Sequence, residues 1–280
     1  MDKRIDRNIL NTLRCPCCAM SLRTSENARS LVCEGERKHC YDISSSGHAN
    51  FALRHNAAGD SKEAVRSRRE FLDSGAYAPF ADALTELVAE QVRDGGLVVD
   101  AGCGEGYYSC KLAHKHSVLG FDLSKEAVIA ASKRAVREGK DNAFFAVASV
   151  YELPVADSSA DAVVNIFAPC AEREYLRILK DGGCLFVAYA GVEHLMGLKK
   201  AIYDNVYEND GRADMPRDMT LVCEKRVRYD ITLESREQIQ ALFSMTPYYW
   251  RTSEGDRKKL DGISRLKTPV DIIIAKYKKD

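Results

Sequence analysis

Short apolar runs alternate with amphipathic stretches from residue 95 to the end of the chain. The run at 97–100 is apolar and ends in turn residues, and 118–122, 143–147, 161–167, 184–189, 222–232 and 270–277 repeat that pattern at strand length. Between them, 107–115, 125–138, 172–179, 195–204 and 236–243 read as helices. Ser124 stands where an N-cap belongs, and Ala127, Val128, Ala130, Ala131 and Ala135 then line one side of the helix it opens. Asp181-Gly182-Gly183 supplies a stop and turn after 172–179. Apolar strands separated by helices imply a mostly parallel sheet covered on both faces. The expected fold class is α/β, a Rossmann-like arrangement around seven strands.

The pattern weakens before residue 95. Residues 1–53 are rich in cysteine and serine and only weakly periodic, and 54–94 read as a basic loop followed by helices. The division expected is therefore 1–53, 54–94 and 95–280, with polar loops at 205–220 and 251–268. No internal repeat or low-complexity linker interrupts it.

The segment Val98-Val99-Asp100-Ala101-Gly102-Cys103-Gly104-Glu105-Gly106-Tyr107-Tyr108 follows a strand and opens a helix. Glycines there allow a tight turn and a close approach of backbone amides to a ligand. Many tight turns contain Gly-x-Gly, so the surroundings matter. The spacing is Gly-x-Gly-x-Gly, not the Gly-x-Gly-x-x-Gly of dinucleotide binders. Asp122 lies 20 residues after Gly102, at the end of the second strand, where a carboxylate can accept hydrogen bonds from ribose hydroxyls. Glu105 sits in the loop itself, which disfavours a pyrophosphate. S-adenosylmethionine has no phosphate and carries an ammonium group that tolerates acidic neighbours. Gly102, Gly104, Glu105, Gly106 and Asp122 are thus expected at its site, with Asp100 fixing the loop through hydrogen bonds. The pattern resembles the first two motifs of class I methyltransferases. Ala168-Pro169-Cys170 follows the fourth strand, whose end borders the transferring methyl in that fold. The Asn/Asp-Pro-Pro-Tyr/Phe often found there in exocyclic-amine methyltransferases is absent, so that chemistry is not expected.

Of ten cysteines, Cys15, Cys17, Cys18, Cys33 and Cys40 fall in one stretch. In a reducing compartment such clustering reads as metal binding before disulfides. Cys15, Cys18, Cys33 and His39 offer four ligands for a tetrahedral structural zinc ion. Cys17 can take the place of Cys18, and Cys40 that of His39. Four protein ligands leave no open position for catalysis, and a segment with so few apolar residues would hardly fold without the metal.

With 41 basic and 41 acidic residues the chain is formally neutral, which argues against a protein that coats nucleic acid over its whole surface. A local patch of Arg54, His55, Lys62, Arg66, Arg68 and Arg69 can still contact phosphates. Tyr248, Tyr249 and Trp250 can stack on a base, or serve as core or interface residues. No apolar run approaches the roughly 18 residues of a membrane span. The residues at 1–15 lack the apolar stretch of a signal peptide, so a cytoplasmic protein is expected.

Together these features resemble the large-subunit ribosomal RNA guanine-N1 methyltransferases. The resemblance runs along nearly the whole chain. It is carried by Cys15-Pro16-Cys17-Cys18, His39-Cys40-Tyr41-Asp42, Gly47-His48-Ala49-Asn50-Phe51, the segment from Arg68 to Tyr77, the glycine loop, Ala168-Pro169-Cys170, the segment from His194 to Lys199, and Met245-Thr246-Pro247. The Arg68 to Tyr77 segment and Ala168-Pro169-Cys170 are much more specific than the glycine loop. The resemblance implies zinc on Cys15, Cys18, Cys33 and His39. It implies cofactor contacts at Tyr77, Gly104, Glu105, Asp122 and His194. It also implies methylation of a guanine in a hairpin loop of the large (23S) ribosomal RNA by a homodimer whose zinc-binding segments (residues 1–53) help grip the RNA. The five residues between Cys33 and His39 depart from a family pattern that often has fewer. No general base is singled out. Two other readings fit the residues: a methyltransferase acting on a small molecule with the zinc segment as a lid, and an RNA-binding or ribosome-assembly factor with an inactive methyltransferase fold.

Overall fold

The computed structural model describes residues 5–52, 59–209 and 216–280. The chain opens with helix α1 (Arg7–Thr12), whose N-cap Asp6 accepts from the N–H groups of Asn8 and Ile9. A small antiparallel sheet follows, in the order β1 (Leu22–Thr24), β2 (Ser30–Cys33) and β3 (Cys40–Asp42), and then a two-residue strand, β4 (Ala49–Asn50). Helices α2 (Lys62–Asp73) and α3 (Ala78–Ala89) lead into the alternating part. That part runs β5 (Leu97–Ala101), α4 (Tyr107–Leu112), β6 (Ser117–Asp122), α5 (Lys125–Arg137), β7 (Ala143–Val147), β8 (Ala160–Ile166), α6 (Glu172–Ile178), β9 (Leu179–Ala190), α7 (Met196–Ile202), β10 (Thr220–Leu233), α8 (Arg236–Ser244) and β11 (Leu266–Lys278).

The large sheet has the order β10-β11-β9-β8-β5-β6-β7-β4. β11 is antiparallel to both its neighbours, and the pairs from β9 to β4 are parallel. This is the Rossmann-like methyltransferase fold. The sheet has eight strands where seven were expected. The additional one is β4, in which Ala49 and Asn50 pair with Ala146 and Val147. Two residues are too few to leave a periodic signature. β9 also starts earlier than expected: Leu179 pairs with Ala160, and the register then shifts so that Cys184 pairs with Ala162. Asp181-Gly182-Gly183 lies in that excursion, with Gly182 at φ +73°. Part of the expected 251–268 loop is helical, with Ser253 capping the turn Glu254–Lys258. Among the described residues no helix is long and apolar enough to cross a membrane.

Successive strand residues point to opposite faces, so the described residues form two large cores, with a smaller cluster of Cys110, Val128, Ala131 and Phe145 under α5. On one face Val98, Val118, Val164, Phe186 and Ile272 meet Phe71, Phe80 and Leu84 of α2 and α3, and Leu198 and Leu242 of α7 and α8. On the other, Val99, Leu119, Phe121, Val163 and Leu185 meet Tyr175 of α6 together with Ile9, Leu13, Leu22, Leu31 and Phe51 of the N-terminal segment. A fully buried aliphatic side chain of this kind contributes roughly 1.5–3 kcal/mol. The segment thus takes from the large sheet the apolar contacts it cannot supply itself. The order β6-β5-β8 reverses the direction of sequence at β5, and the crevice at the carboxyl ends of these strands is where such sheets bind ligands.

Candidate cofactor and metal sites

Beyond the end of β5 the backbone turns through Gly102 at φ +92°, Gly104 at +54° and Gly106 at +77°. Glycine adopts such values without the strain a Cβ would bring. A Cβ on Gly102 would lie 2.6 Å from that of Ala168, and one on Gly106 would lie 2.8 Å from that of Ala131, so neighbouring elements leave no room for side chains here. The N–H groups of Gly102 and Cys103 both donate to the Phe121 carbonyl, at 2.8 and 2.9 Å. Asp122 ties the loop to α5: its Oδ2 accepts the Gly104 N–H at 2.9 Å and its Oδ1 the Ser124 N–H at 2.8 Å. Each carboxylate oxygen keeps a second lone pair, so Asp122 can still accept from ribose hydroxyls.

The loop is acidic. Asp100 is buried beneath it and accepts from the Ser109 hydroxyl, while its Oδ1 has no hydrogen-bond partner. Burial pushes this carboxyl up to about 7, against the pull of the Ser109 hydrogen bond. Burial also raises Glu105 and Asp122, opposed in both cases by the Arg68 guanidinium. Three carboxyl groups held out of water around one loop suit a ligand that brings positive charge, as S-adenosylmethionine does, and would repel a pyrophosphate.

Arg68 was expected in an RNA-facing patch. Its side chain is instead only 24% exposed and paired with Asp60, and its Nη1 is 3.6 Å from where a Gly104 Cβ would stand. The Asp60 carbonyl in turn accepts from the Ser124 hydroxyl at 2.8 Å, so the start of α2 closes over the glycine loop. Arg68's place over the glycine loop leaves no mark in the local pattern, because arginine on a polar helix normally faces water. Its place at the head of the Arg68 to Tyr77 segment was the available signal.

Tyr77 and His194 meet behind this crevice, both buried, with the Tyr77 hydroxyl 3.3 Å from the imidazole Nε2. The Asp271 N–H donates to Nδ1 of His194 at 3.2 Å. Burial, helped by the Lys199 charge and opposed by Asp271, lowers His194 to about 4. The ring is therefore neutral with its proton on Nε2, which donates to the Tyr77 oxygen.

In the N-terminal segment one ligand atom each of Cys15, Cys18, Cys33 and His39 lies within 4.8 Å of the others. The Cys15 Sγ is 3.4 Å and the Cys18 Sγ 3.7 Å from His39 Nδ1, and the Cys18 and Cys33 sulfurs are 3.3 Å apart. Zinc bonds of about 2.3 Å to sulfur and 2.0 Å to nitrogen place tetrahedral ligands roughly 3.5–3.8 Å apart. The donor set and its spacing fit that ion. Desolvation raises the Cys15 thiol, but hydrogen bonds from Tyr41 and from the backbone of Cys17 and Cys18 outweigh it and bring the group down to about 6. The Gly35 N–H donates to the Cys33 sulfur at 3.3 Å. Cys17 and Cys40 are exposed and outside the four-atom cluster; the Cys17 sulfur lies 3.4 Å from the Tyr41 hydroxyl oxygen.

The features expected to touch RNA are dispersed. Arg54 and His55 lie outside the described residues. Arg66 is paired with Glu70 at 2.7 Å, and Lys62 and Arg69 are exposed. Tyr248 and Tyr249 pack against the core, whereas Trp250 is 69% exposed.

Comparison with known proteins agrees with this geometry. Residues 98–183 match the family model described as "Methyltransferase domain". The chain is 36% identical over 203 residues to the 23S rRNA (guanine(748)-N(1))-methyltransferase of Streptomyces fradiae, covering 70% of this chain and 69% of that one. It is 30% identical over 294 residues to the "Putative 23S rRNA (guanine-N(1)-)-methyltransferase" of Micromonospora griseorubida, covering 96% of each. It is 29% identical over 275 residues to the "Putative 23S rRNA (guanine-N(1)-)-methyltransferase YxjB" of Bacillus subtilis (strain 168), covering 93% of this chain and 95% of that one.

Proposed function

The chain belongs to the 23S rRNA (guanine-N1) methyltransferase family, and we propose that it transfers a methyl group from S-adenosylmethionine to N1 of a guanine in a hairpin loop of large-subunit ribosomal RNA. The observation that carries this reading is the β4–β7 pairing, which ties the segment bearing the Cys15, Cys18, Cys33 and His39 cluster to the edge of the sheet that bears the acidic glycine loop. Gly102, Gly104, Gly106, Glu105 and Asp122 hold the cofactor over the carboxyl ends of β5 and β6. Asp100 braces the loop from below, and Tyr77 and His194 complete the site from the side. S-adenosylmethionine supplies an electrophilic methyl on a sulfonium when bound. Guanine N1 is a weak nucleophile while it keeps its proton, so the site must take that proton or stabilise charge at O6 as it leaves. The target base must also leave its stack to present its Watson–Crick edge. Alignment of N1 with the methyl then provides much of the rate. Cys15, Cys18, Cys33 and His39 hold a structural zinc ion, which fixes a segment that helps grip the RNA. The family resemblance supports a homodimer and a cytoplasmic location as parts of the same reading.

The test is transfer of labelled methyl groups from S-adenosylmethionine to 23S rRNA hairpin transcripts. Label should enter a guanine of the loop and create a reverse-transcription stop there, because N1 methylation blocks the pairing edge. Label that enters only exocyclic amines or ribose hydroxyls contradicts the proposal.

A further inference from the structure

The turn after β8 carries an aromatic ring in an unusual state. Phe167 has φ +53°, a left-handed backbone that a bulky residue adopts only under constraint, and the residue is 50% exposed. The constraint is visible. The Phe167 N–H donates to the Ala188 carbonyl at 3.1 Å. Two residues further on, the Pro169 carbonyl accepts from the Asn165 amide at 3.0 Å and from the Tyr175 hydroxyl at 3.2 Å, and Asn165 also donates to Tyr175 at 2.9 Å. Asn165 and Tyr175 are buried, so the turn is clamped from inside the fold. The next residue, Ala168, is the one that a Gly102 Cβ would strike. The strained turn therefore abuts the cofactor loop directly.

One face of the Phe167 ring rests on His194, with ring centroids 5.8 Å apart and planes 21° apart, and Phe80 lies 6.3 Å away at a tilt. The residue is otherwise half exposed to solvent. A strained, clamped and half-exposed aromatic ring beside the glycine loop belongs to none of the buried cores. Hydrophobic burial would favour turning the ring inward, and backbone strain would favour glycine or asparagine at this φ. Both costs are explained if the ring receives a planar partner during the reaction.

We propose that the exposed face of Phe167 is the shelf on which the extruded target guanine stacks, setting the plane in which N1 faces the methyl donor. The inference rests on the guanine-N1 reading above and adds the residue that positions the base. Stacking on an aromatic ring is worth enough to replace the stacking lost on extrusion and does not by itself read base identity. Phe167 therefore sets geometry, leaving the choice of guanine to other contacts.

The test uses the full-length enzyme and a 23S rRNA hairpin transcript, with Phe167→Leu and Phe167→Tyr compared with wild type. Calorimetry gives the affinity for S-adenosylmethionine, and steady-state transfer gives kcat/KM for the RNA. Phe167→Leu should leave cofactor affinity within about twofold and lower kcat/KM by roughly one to two orders of magnitude, the worth of a base–aromatic stack. Phe167→Tyr should restore most of the loss. Equal kcat/KM in Phe167→Leu and wild type overturns the proposal, as does a fall in cofactor affinity that matches the fall in kcat/KM. A wild-type enzyme that methylates some other position of the RNA overturns the guanine-N1 reading, and this inference with it.

Discussion

Tyr77 and His194, 117 residues apart in sequence, meet through a 3.3 Å contact between the phenol oxygen and Nε2. Because the Asp271 N–H already occupies Nδ1, the imidazole donates and the phenol accepts, leaving the Tyr77 proton free for a ligand. Tyr77→Phe removes that donor and strands the buried imidazole N–H. Affinity for S-adenosylmethionine should fall about tenfold, or ~1.4 kcal/mol. Calorimetric titration checks it, and unchanged affinity would remove Tyr77 from the cofactor site.

The same histidine predicts a pH dependence of stability. Its folded-state value of about 4 is below the ordinary value of 6.5, so between these values the unfolded chain binds the proton more readily. The contribution is therefore neutral above about 6.5 and becomes destabilising as pH falls from there toward 4. The melting temperature of wild type should drop between pH 7 and pH 5 by more than that of His194→Gln. Scanning calorimetry of the two proteins tests this; parallel drops would mean that His194 is not held neutral by burial.

The choice among the clustered cysteines can be checked directly. Cys18→Ser and Cys33→Ser should abolish stoichiometric zinc and expose the N-terminal segment to protease. Cys17→Ser and Cys40→Ser should keep about one zinc per chain, as tetrahedral ligation by the four clustered residues requires. Metal analysis by plasma mass spectrometry decides between them. Loss of zinc from the Cys17 variant alone would reassign the site.

Placing Arg68 over the glycine loop separates it from its basic neighbours. Lys62→Ala and Arg69→Ala should each reduce the salt slope of RNA binding by about one, as expected for the loss of a phosphate contact. Arg68→Ala should leave that slope unchanged, since its charge is already paired with Asp60. Filter binding across a salt series is the measurement. A slope reduced by Arg68→Ala would return this residue to the RNA interface.

The alternating part of the fold was legible because buried parallel strands and amphipathic helices differ in period. All seven expected strands are present, with the bounds of 143–147 unchanged. β4 was not legible, since its two residues are chosen by a neighbouring edge and not by their own pattern. The glycine turn and the strand-end position of Asp122 were readable, because turn glycines and strand-end acids keep their pattern locally. Cys15, Cys18, Cys33 and His39 could be nominated by spacing, but not separated from Cys17 and Cys40. Which thiols converge depends on how β2 and β3 fold back on the turn after Cys15. Arg68 and Phe167 were illegible in role for a related reason. A side chain's partners across the fold, such as the Gly104 loop for Arg68 or His194 for Phe167, leave no trace in the residues beside it.

Mass spectrometry of nucleosides from 23S rRNA of cells with and without the gene reads the proposed methylation directly. One N1-methylguanosine per rRNA should disappear on deletion and return with the wild-type gene. An N1-methylguanosine content unchanged by the deletion would contradict the proposal.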